Sequence, residues 1–169
     1  MNSGQYLTFF IHAEEYAVSI LRVREIIEYE SVTHVPTTPA HVRGVIDLRG
    51  AVLPVIDLGA KFGKSESAPA RTTCIVVVET KLNDDDVIVG VIADAVSEVI
   101  DLSEEQIEAA PGLGSNIRVD FLLGMARLDG RLALVLNPDR ILSPVELQEA
   151  LVAIPDSLNP ITEETHHAQ

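Results

Sequence analysis

Short runs in which apolar and polar residues alternate follow one another along most of the chain, and turn-forming residues separate them. In the first run, Leu7, Phe9 and Ile11 occupy every second position, which is typical of a strand with one buried face. Residues 23–29 fit either a helical turn or a strand, and we expect a short turn that runs into a strand. The sequence predicts ten strands, over residues 5–11, 16–20, 23–29, 45–48, 51–56, 73–79, 87–93, 95–102, 121–128 and 131–137.

Two-residue connections between runs predict tight hairpins. Arg49-Gly50 separates the fourth run from the fifth, and Asp129-Gly130 separates the last two. A glycine at the second position of such a connection favours the turns that join antiparallel strands. A longer polar turn is expected over residues 83–86, between the sixth and seventh strands.

Three short helical segments are predicted among the strands, and the first is one helical turn over residues 58–62. Residues 103–106 read Ser-Glu-Glu-Gln, which is a capping box. Near the C-terminus, Ser143, Pro144 and Glu146 stand at the N-cap, the first position and the third position of a helix. That helix is expected over residues 144–151.

A small and polar stretch, residues 64–71, is the best linker in the sequence. Five predicted strands precede it and five follow it. The prediction is therefore an all-β domain over residues 5–150, made of two five-stranded, SH3-like β-barrels over residues 5–63 and 72–142. The C-terminal helix and a flexible tail over residues 155–169 follow them. The pattern leaves open whether strands cross between the two halves.

Composition and charge narrow the class of partner. Hydrophobic residues make up 47% of the chain and aromatic residues only 4%, so aliphatic side chains must fill the core. The formal net charge is −14, which excludes nucleic acid and an anionic membrane surface as expected partners because both attract basic surfaces. Arg22, Arg24, Arg43 and Arg49 lie in the less acidic part, as scattered surface charges or as the mark of a docking face.

The single cysteine, Cys74, makes an internal disulfide impossible and a secreted, disulfide-rich fold unlikely on chemical grounds. The first residues lack the basic and apolar regions of a signal peptide. The longest apolar run, residues 87–93, is far shorter than the roughly 20 residues that cross a bilayer. We therefore expect a cytoplasmic protein without direct membrane insertion.

Motifs that would carry chemistry are missing from the sequence. It contains no nucleophile elbow, no paired-cysteine zinc pattern and no phosphate-binding loop. The spacing of His34 and His41 matches no metal-ligand pattern, and residues 84–86 lack the alternating ligands and the closing Glu of a calcium loop. We expect no enzymatic activity, no metal and no cofactor. The remaining expectation is a protein that works through its surface.

Residues 43–58, which read RGVIDLRGAVLPVIDL, resemble the signature of the CheW family, the coupling proteins of bacterial chemotaxis. Residues 15–26 resemble the segment by which that family enters its first barrel. Residues 94–100 resemble its second-lobe motif. Residues 121–124 and 132–141 resemble its closing hairpin and helix. The resemblance runs from about residue 5 to residue 150, in the order and spacing of the family.

The resemblance implies a fold and a function. The family folds as two five-stranded β-barrels that enclose a hydrophobic groove. Its members are non-enzymatic adaptors that connect the cytoplasmic tips of chemoreceptors to the regulatory domain of the histidine kinase CheA. An adaptor of another chemosensory-type pathway, such as surface motility, fits the same residues. A small β-barrel enzyme is the alternative from another class, and it would need an acid, base or nucleophile constellation.

Residue roles carry over by position from this resemblance. The implied receptor-binding residues are Val23, Glu25, Ile26, Arg49, Cys74, Val96 and Val99. The implied kinase-binding residues are Arg43, Val52 and Leu113.

Each implied role has a structural alternative. Glu25 and Arg49 form an ordinary exposed ion pair in that alternative, and Val52, like the valines of the second lobe, belongs to the core. Asp47 departs from the Asn that many family members carry. It stands two residues from Arg49, on the same face of a strand, so it competes with Glu25 for the guanidinium.

Overall fold

The computed structural model describes residues 4–30, 32–35, 39–64, 69–109, 121–152 and 154. Within these ranges the chain forms eleven strands and two α-helices. The strands are β1 Gly4–Ile11, β2 Glu14–Ser19, β3 Val23–Glu28, β4 Val42–Leu48, β5 Ala51–Ile56, β6 Cys74–Leu82, β7 Asp85–Ala93, β8 Ala95–Leu102, β9 Ile107–Glu108, β10 Leu122–Leu128 and β11 Arg131–Leu136. The helices are α1 Leu58–Lys61 and α2 Pro144–Val152.

Two sheets contain all of these strands. Sheet 1 has six strands in the order β8-β1-β2-β11-β10-β9, and sheet 2 has five in the order β3-β6-β7-β5-β4. Neighbouring strands are antiparallel except for β2 with β11 and β5 with β7, which run parallel. The prediction of an all-β fold built from two curled sheets is confirmed. Sheet 1 has one strand more than predicted because the two-residue β9 pairs with β10.

The predicted division of the strands at residues 64–71 is wrong. Sheet 2 is formed by residues 23–93, whereas sheet 1 combines β1 and β2 with the strands after residue 94. Sheet 2 is therefore an insertion between two parts of sheet 1, and the stretch predicted as a linker lies inside the sheet 2 segment. The reason is a long-range pairing: Tyr16 lies opposite Leu134 on β11, and Ala17 lies opposite Val135.

The described residues form three apolar clusters, one inside each curled sheet and one between the sheets. The cluster between them is the largest and takes side chains from both sheets. The strand β6 shows how the sequence builds it. Cys74, Val76 and Val78 face the shared cluster, whereas Ile75 and Val77 face the interior of sheet 2. Because successive side chains of a strand point to opposite faces, a continuous apolar run is buried on both sides.

Tight turns connect the pairs β1–β2, β4–β5, β6–β7 and β10–β11. The turns His12-Ala13 and Asn83-Asp84 each place two consecutive residues at positive φ, which matches the right-handed twist of the flanking strands. The turn predicted over residues 83–86 is thus shorter than expected, because β6 extends to Leu82 and β7 already begins at Asp85.

The short turn before β3 and the helix α2 agree with the sequence. A 3-10 turn over Ile20–Arg22 runs directly into β3. The backbone N–H of Glu146 donates to Ser143 Oγ over 3.1 Å, and Glu146 Oε1 accepts from the Ser143 N–H over 2.8 Å, so the predicted capping box forms. In the described parts of the chain, no helix has the length and apolar character needed to cross a membrane.

Candidate functional site

The β4–β5 hairpin carries three of the predicted site residues, which are Arg43, Arg49 and Val52. Its turn places Arg49 at φ +51° and Gly50 at φ +89°, which is the geometry of a primed hairpin turn. Asp47 Oδ1 accepts a hydrogen bond of 2.8 Å from the backbone N–H of Gly50. The carboxylate of Asp47 therefore holds the turn. This contact settles the competition expected from the sequence, since Asp47 bonds the backbone and not the guanidinium.

Arg49 reaches across to β3 and pairs with Glu25. Its Nη1 donates to Glu25 Oε2 over 3.2 Å, and its Nη2 donates to Glu25 Oε1, so the pair is bidentate. The hydrogen bond from Arg49 lowers the pKa of the Glu25 carboxyl. The side chain of Arg49 is 73% exposed, so the guanidinium stays open to a partner while its orientation is set.

The apolar members of the predicted receptor site on β3 face the space between the sheets. Val23 lies opposite Val78 and Ile26 lies opposite Val76 in the antiparallel pairing of β3 with β6. Both partners belong to the cluster between the sheets. Residues directly opposite each other share a face of the sheet, so Val23 and Ile26 face that cluster as well. Ile26 remains 43% exposed.

The strand β8 repeats this arrangement on sheet 1. Val96 lies opposite Phe9 and Val99 lies opposite Leu7, and both partners belong to the same cluster between the sheets. Val96 packs against the cluster, whereas Val99 is 48% exposed. The strands β3 and β8 each stand at one end of the strand order of their sheet, and these four apolar residues all face the cluster between the sheets. We call this surface, formed by Val23, Ile26, Val96 and Val99, the inter-sheet groove.

Cys74 contributes to the wall beneath the inter-sheet groove and not to its surface. Its residue exposure is 9%, and it belongs to the cluster between the sheets. Burial, followed by the charge of Asp94, raises the pKa of the thiol. A partner therefore meets little of Cys74, and its main role is packing.

Arg43 has a structural role, which differs from the kinase contact predicted for it. Its Nη2 donates to Asp57 Oδ2 over 2.6 Å, and its Nη1 donates to the hydroxyl of Tyr29 over 3.0 Å. The side chains of Arg43 and Asp57 are only 14% and 9% exposed. Asp57 also caps α1, because its Oδ1 accepts from the Ala60 N–H over 3.0 Å. The guanidinium of Arg43 therefore offers little surface for a direct contact with the kinase.

The other two predicted kinase-binding residues are Val52 and Leu113. Val52 is half-buried and lies directly opposite Asp47 on the hairpin, so it stands beside the turn that presents Arg49. Leu113 lies outside the described residues. Among the described residues, no group of three or more His, Cys, Asp or Glu side chains is arranged to hold a metal ion.

Comparison with known proteins places this chain in a family. Residues 5–146 match the CheW-like domain. The chain is 34% identical over 143 residues to the chemotaxis protein CheW of Klebsiella aerogenes, covering 85% of this chain and 84% of that protein. It is 35% identical over 150 residues to the chemotaxis protein CheW of Rhizobium meliloti, covering 88% and 94%. The chain belongs to the CheW family.

A solved structure agrees with this assignment. The crystal structure of the scaffolding protein TtCheW from Thermoanaerobacter tengcongensis has a TM-score of 0.73 to this chain at 31% identity, covering 82% of this chain and 92% of that one. The resemblance recognised in the sequence is therefore confirmed, and with it the function of a chemotaxis coupling adaptor.

Sequence reasoning missed two features of this CheW-family chain. Asp57 is the buried partner of Arg43, and its position directly before the helical turn α1 marks it as an N-cap that local pattern could have found. Leu21 is 87% exposed in the 3-10 turn that leads into β3, next to the inter-sheet groove residue Val23 along the chain. Apolar periodicity predicts burial for such a leucine, and only the fold reveals that it projects into solvent.

Proposed function

We propose that this CheW-family chain is a non-enzymatic cytoplasmic adaptor that connects the signalling tips of chemoreceptors to the regulatory domain of the histidine kinase CheA. The observation that supports the proposal is the exposed apolar surface of the inter-sheet groove residues Ile26 and Val99, together with the exposed Arg49–Glu25 pair. An adaptor needs two separate docking surfaces, and the β4–β5 hairpin offers residues to both.

The receptor side consists of the inter-sheet groove together with Glu25 and Arg49. Ile26 and Val99 expose apolar surface at the rims of the groove. An amphipathic helix is the kind of partner that binds by laying its apolar face in such a groove. Arg49 supplies an oriented and exposed cation at the side, and arginine is among the residue types that dominate binding energy at interfaces.

The kinase side consists of Val52, with Leu113 as a second contact and Arg43 as the residue that supports it from within. Val52 is half-buried on the outer part of the hairpin. Arg43 acts here by fixing Asp57 and Tyr29, and through them the base of the hairpin. We therefore expect substitutions at Val52 to act on kinase affinity directly, and substitutions at Arg43 to act mainly on the stability of the fold.

The decisive experiment uses the variant Arg49→Glu and two separate partners. Pull-down with a chemoreceptor tip fragment and with the CheA regulatory domain measures the two contacts independently. We expect receptor association to weaken by at least about tenfold, because a charge reversal at an oriented arginine removes the pairing and adds repulsion. Kinase association is expected to stay within about twofold of the unmodified protein.

Arg127→Glu is the matched control for this experiment. Arg127 is 70% exposed and pairs with Glu108 over 3.1 Å, so it resembles Arg49 in exposure and pairing but lies on sheet 1, on β10. The Arg127→Glu variant should leave both the receptor association and the kinase association unchanged. Failure of the unmodified protein to bind either partner would refute the proposed function. Equal loss of both partners in Arg49→Glu, with the circular dichroism spectrum preserved, would refute the separation into two sides.

A further inference from the structure

The two edge strands of sheet 2 leave a groove between them. The strands β3 and β4 stand at opposite ends of the order β3-β6-β7-β5-β4 and do not pair with each other. A groove of about 350 Å³ lies in this gap, and its lining residues are Ile27, Glu28, Glu30, Thr33, Ile46 and Asp47. We call it the seam groove. It is distinct from the inter-sheet groove, because Ile27 and Ile46 face the interior of sheet 2 and not the other sheet.

The seam groove has an apolar floor and an acidic rim. Ile46 is 4% exposed and belongs to the cluster inside sheet 2, and Ile27 packs against the same cluster. The side chains of Glu28, Glu30 and Asp47 are exposed around this floor. Among the described residues that line the groove, none is Lys, Arg or His. Three carboxylates over an apolar floor produce a negative potential that favours a cation with an aliphatic part.

The arginine at the tip of the hairpin is not paired with a carboxylate of this rim. Arg49 pairs with Glu25 on β3, and among the described residues Asp47 accepts a hydrogen bond from the backbone N–H of Gly50. A neutral donor leaves the charge of the Asp47 carboxylate in place. The rim of the seam groove is therefore still negative when the hairpin is in its folded arrangement.

The seam groove adjoins the surface that we assign to the kinase. Asp47 lies directly opposite Val52 in the pairing of β4 with β5, so the two side chains share a face of the hairpin. Thr33 bonds Val45 through both backbone groups, each over 2.9 Å, which fixes the far wall of the groove against β4. A partner that covers Val52 therefore also reaches the rim at Asp47.

We propose that the seam groove receives a lysine or arginine side chain of the kinase regulatory domain, with an aliphatic neighbour of that residue on the floor formed by Ile27 and Ile46. The inference rests on the proposed function, which supplies the partner. A second copy of this chain is a poorer occupant, because each copy carries a net charge of −14. The stem of a lysine or arginine contributes apolar contact while its head pairs with the carboxylates.

The test measures the affinity of the CheA regulatory domain for this chain by calorimetry, at about 50 mM and about 500 mM NaCl. The variants are Glu28→Lys and Glu30→Lys, and the matched control is Glu105→Lys, an exposed glutamate in the 3-10 turn Glu104–Gln106 of the other sheet's segment. Each variant changes the net charge by the same amount. We expect Glu30→Lys to weaken binding by about tenfold at low salt, with the difference shrinking at high salt, and the control to stay within about twofold.

Nuclear magnetic resonance locates the contact without any substitution. Adding unlabelled regulatory domain to the labelled chain should shift the amide signals of residues 27–30 and 45–47. Two results would overturn the inference and leave the proposed function standing. One is a loss of affinity in Glu28→Lys and Glu30→Lys no larger than in Glu105→Lys. The other is a complex that forms while the amide signals of these two segments stay unshifted. Absence of any binding by the unmodified chain would overturn both, which separates the two failures.

Discussion

The buried pair of Arg43 and Asp57 gives the sharpest prediction about stability. Their side chains are 14% and 9% exposed, and they are joined by a hydrogen bond of 2.6 Å. Replacing Arg43 by Met keeps the volume of the stem but leaves the Asp57 carboxylate without its cation. Removing one partner of a buried ion pair costs about 3–5 kcal/mol, because the remaining charge stays buried and uncompensated.

Two features of the site place the expected loss at the lower end of this range. Asp57 keeps one hydrogen bond after the substitution, since its Oδ1 still accepts from the Ala60 N–H. Arg43 also lies 5.9 Å from the centre of the Tyr29 ring and donates to its hydroxyl, and the Met stem retains part of that packing. We therefore expect Arg43→Met to lower the free energy of unfolding by about 3 kcal/mol.

Urea unfolding followed by far-ultraviolet circular dichroism measures this free energy, since the chain has no tryptophan. Arg24→Met is the control, because the Arg24 side chain is 55% exposed in its pair with Glu79 and should contribute less than about 1 kcal/mol. The double variant Arg43→Met/Asp57→Asn should be less destabilised than the sum of the single variants, because it leaves no unpaired charge.

Two results would refute this reasoning. A loss in Arg43→Met no larger than in Arg24→Met would show that the pair is not desolvated in solution. A folded Arg43→Met protein that loses kinase affinity far beyond its unfolded fraction would show that the guanidinium contacts the kinase directly, as the family resemblance implied.

Two further predictions concern single residues of sheet 2. A Cβ on Gly44 would lie 2.2 Å from the carbonyl oxygen of Thr33. Gly44→Ala should therefore lower the free energy of unfolding by about 1–3 kcal/mol in the same urea assay. An unchanged free energy of unfolding would contradict the Thr33–Val45 bridge. Cys74 should react with a maleimide at least about tenfold more slowly in the native chain than in urea, because burial limits access to the thiol and raises its pKa. Equal reaction rates would contradict the position of Cys74 in the core.

The individual strands and most turns could be predicted from the sequence because their signals are local. The runs at residues 51–56 and 95–102 coincide with β5 and β8, and the capping box of α2 forms as predicted. The extra strand β9 could not be predicted, since two residues contain no alternation to detect. Its pairing depends on Gly124, where a Cβ would lie 2.3 Å from the Glu108 carbonyl oxygen.

The assignment of strands to sheets could not be predicted, because it depends on contacts between distant residues. The parallel pairing of β2 with β11 brings Tyr16 next to Leu134, and neither strand carries a sequence signal for the other. The candidate site also contains one contact that could be predicted and one that could not. The pairing of Glu25 with Arg49 follows from the resemblance, whereas the burial of Arg43 against Asp57 depends on packing that no local pattern reveals.

The insertion of sheet 2 into sheet 1 explains why the inter-sheet groove lies where it does. Within the described residues, the chain passes between the sheets twice, through the turn Ile20–Arg22 and at Asp94. The strand that follows the first crossing is β3 and the strand that follows the second is β8, which are the two walls of the groove.

Asp94 fixes the second crossing to both sheets. Its backbone N–H donates to the Phe10 carbonyl over 2.8 Å, and its Oδ2 accepts from the His12 N–H over 2.7 Å, which ties it to sheet 1. Its own carbonyl accepts from Thr72 Oγ1 over 2.7 Å, next to the start of β6 in sheet 2. Because the β8 wall of the groove begins at this anchored crossing, we expect a partner seated there to meet a wall that is already held in place. Little conformational entropy is then lost on binding, which favours a scaffold that must hold one partner in a fixed orientation to another.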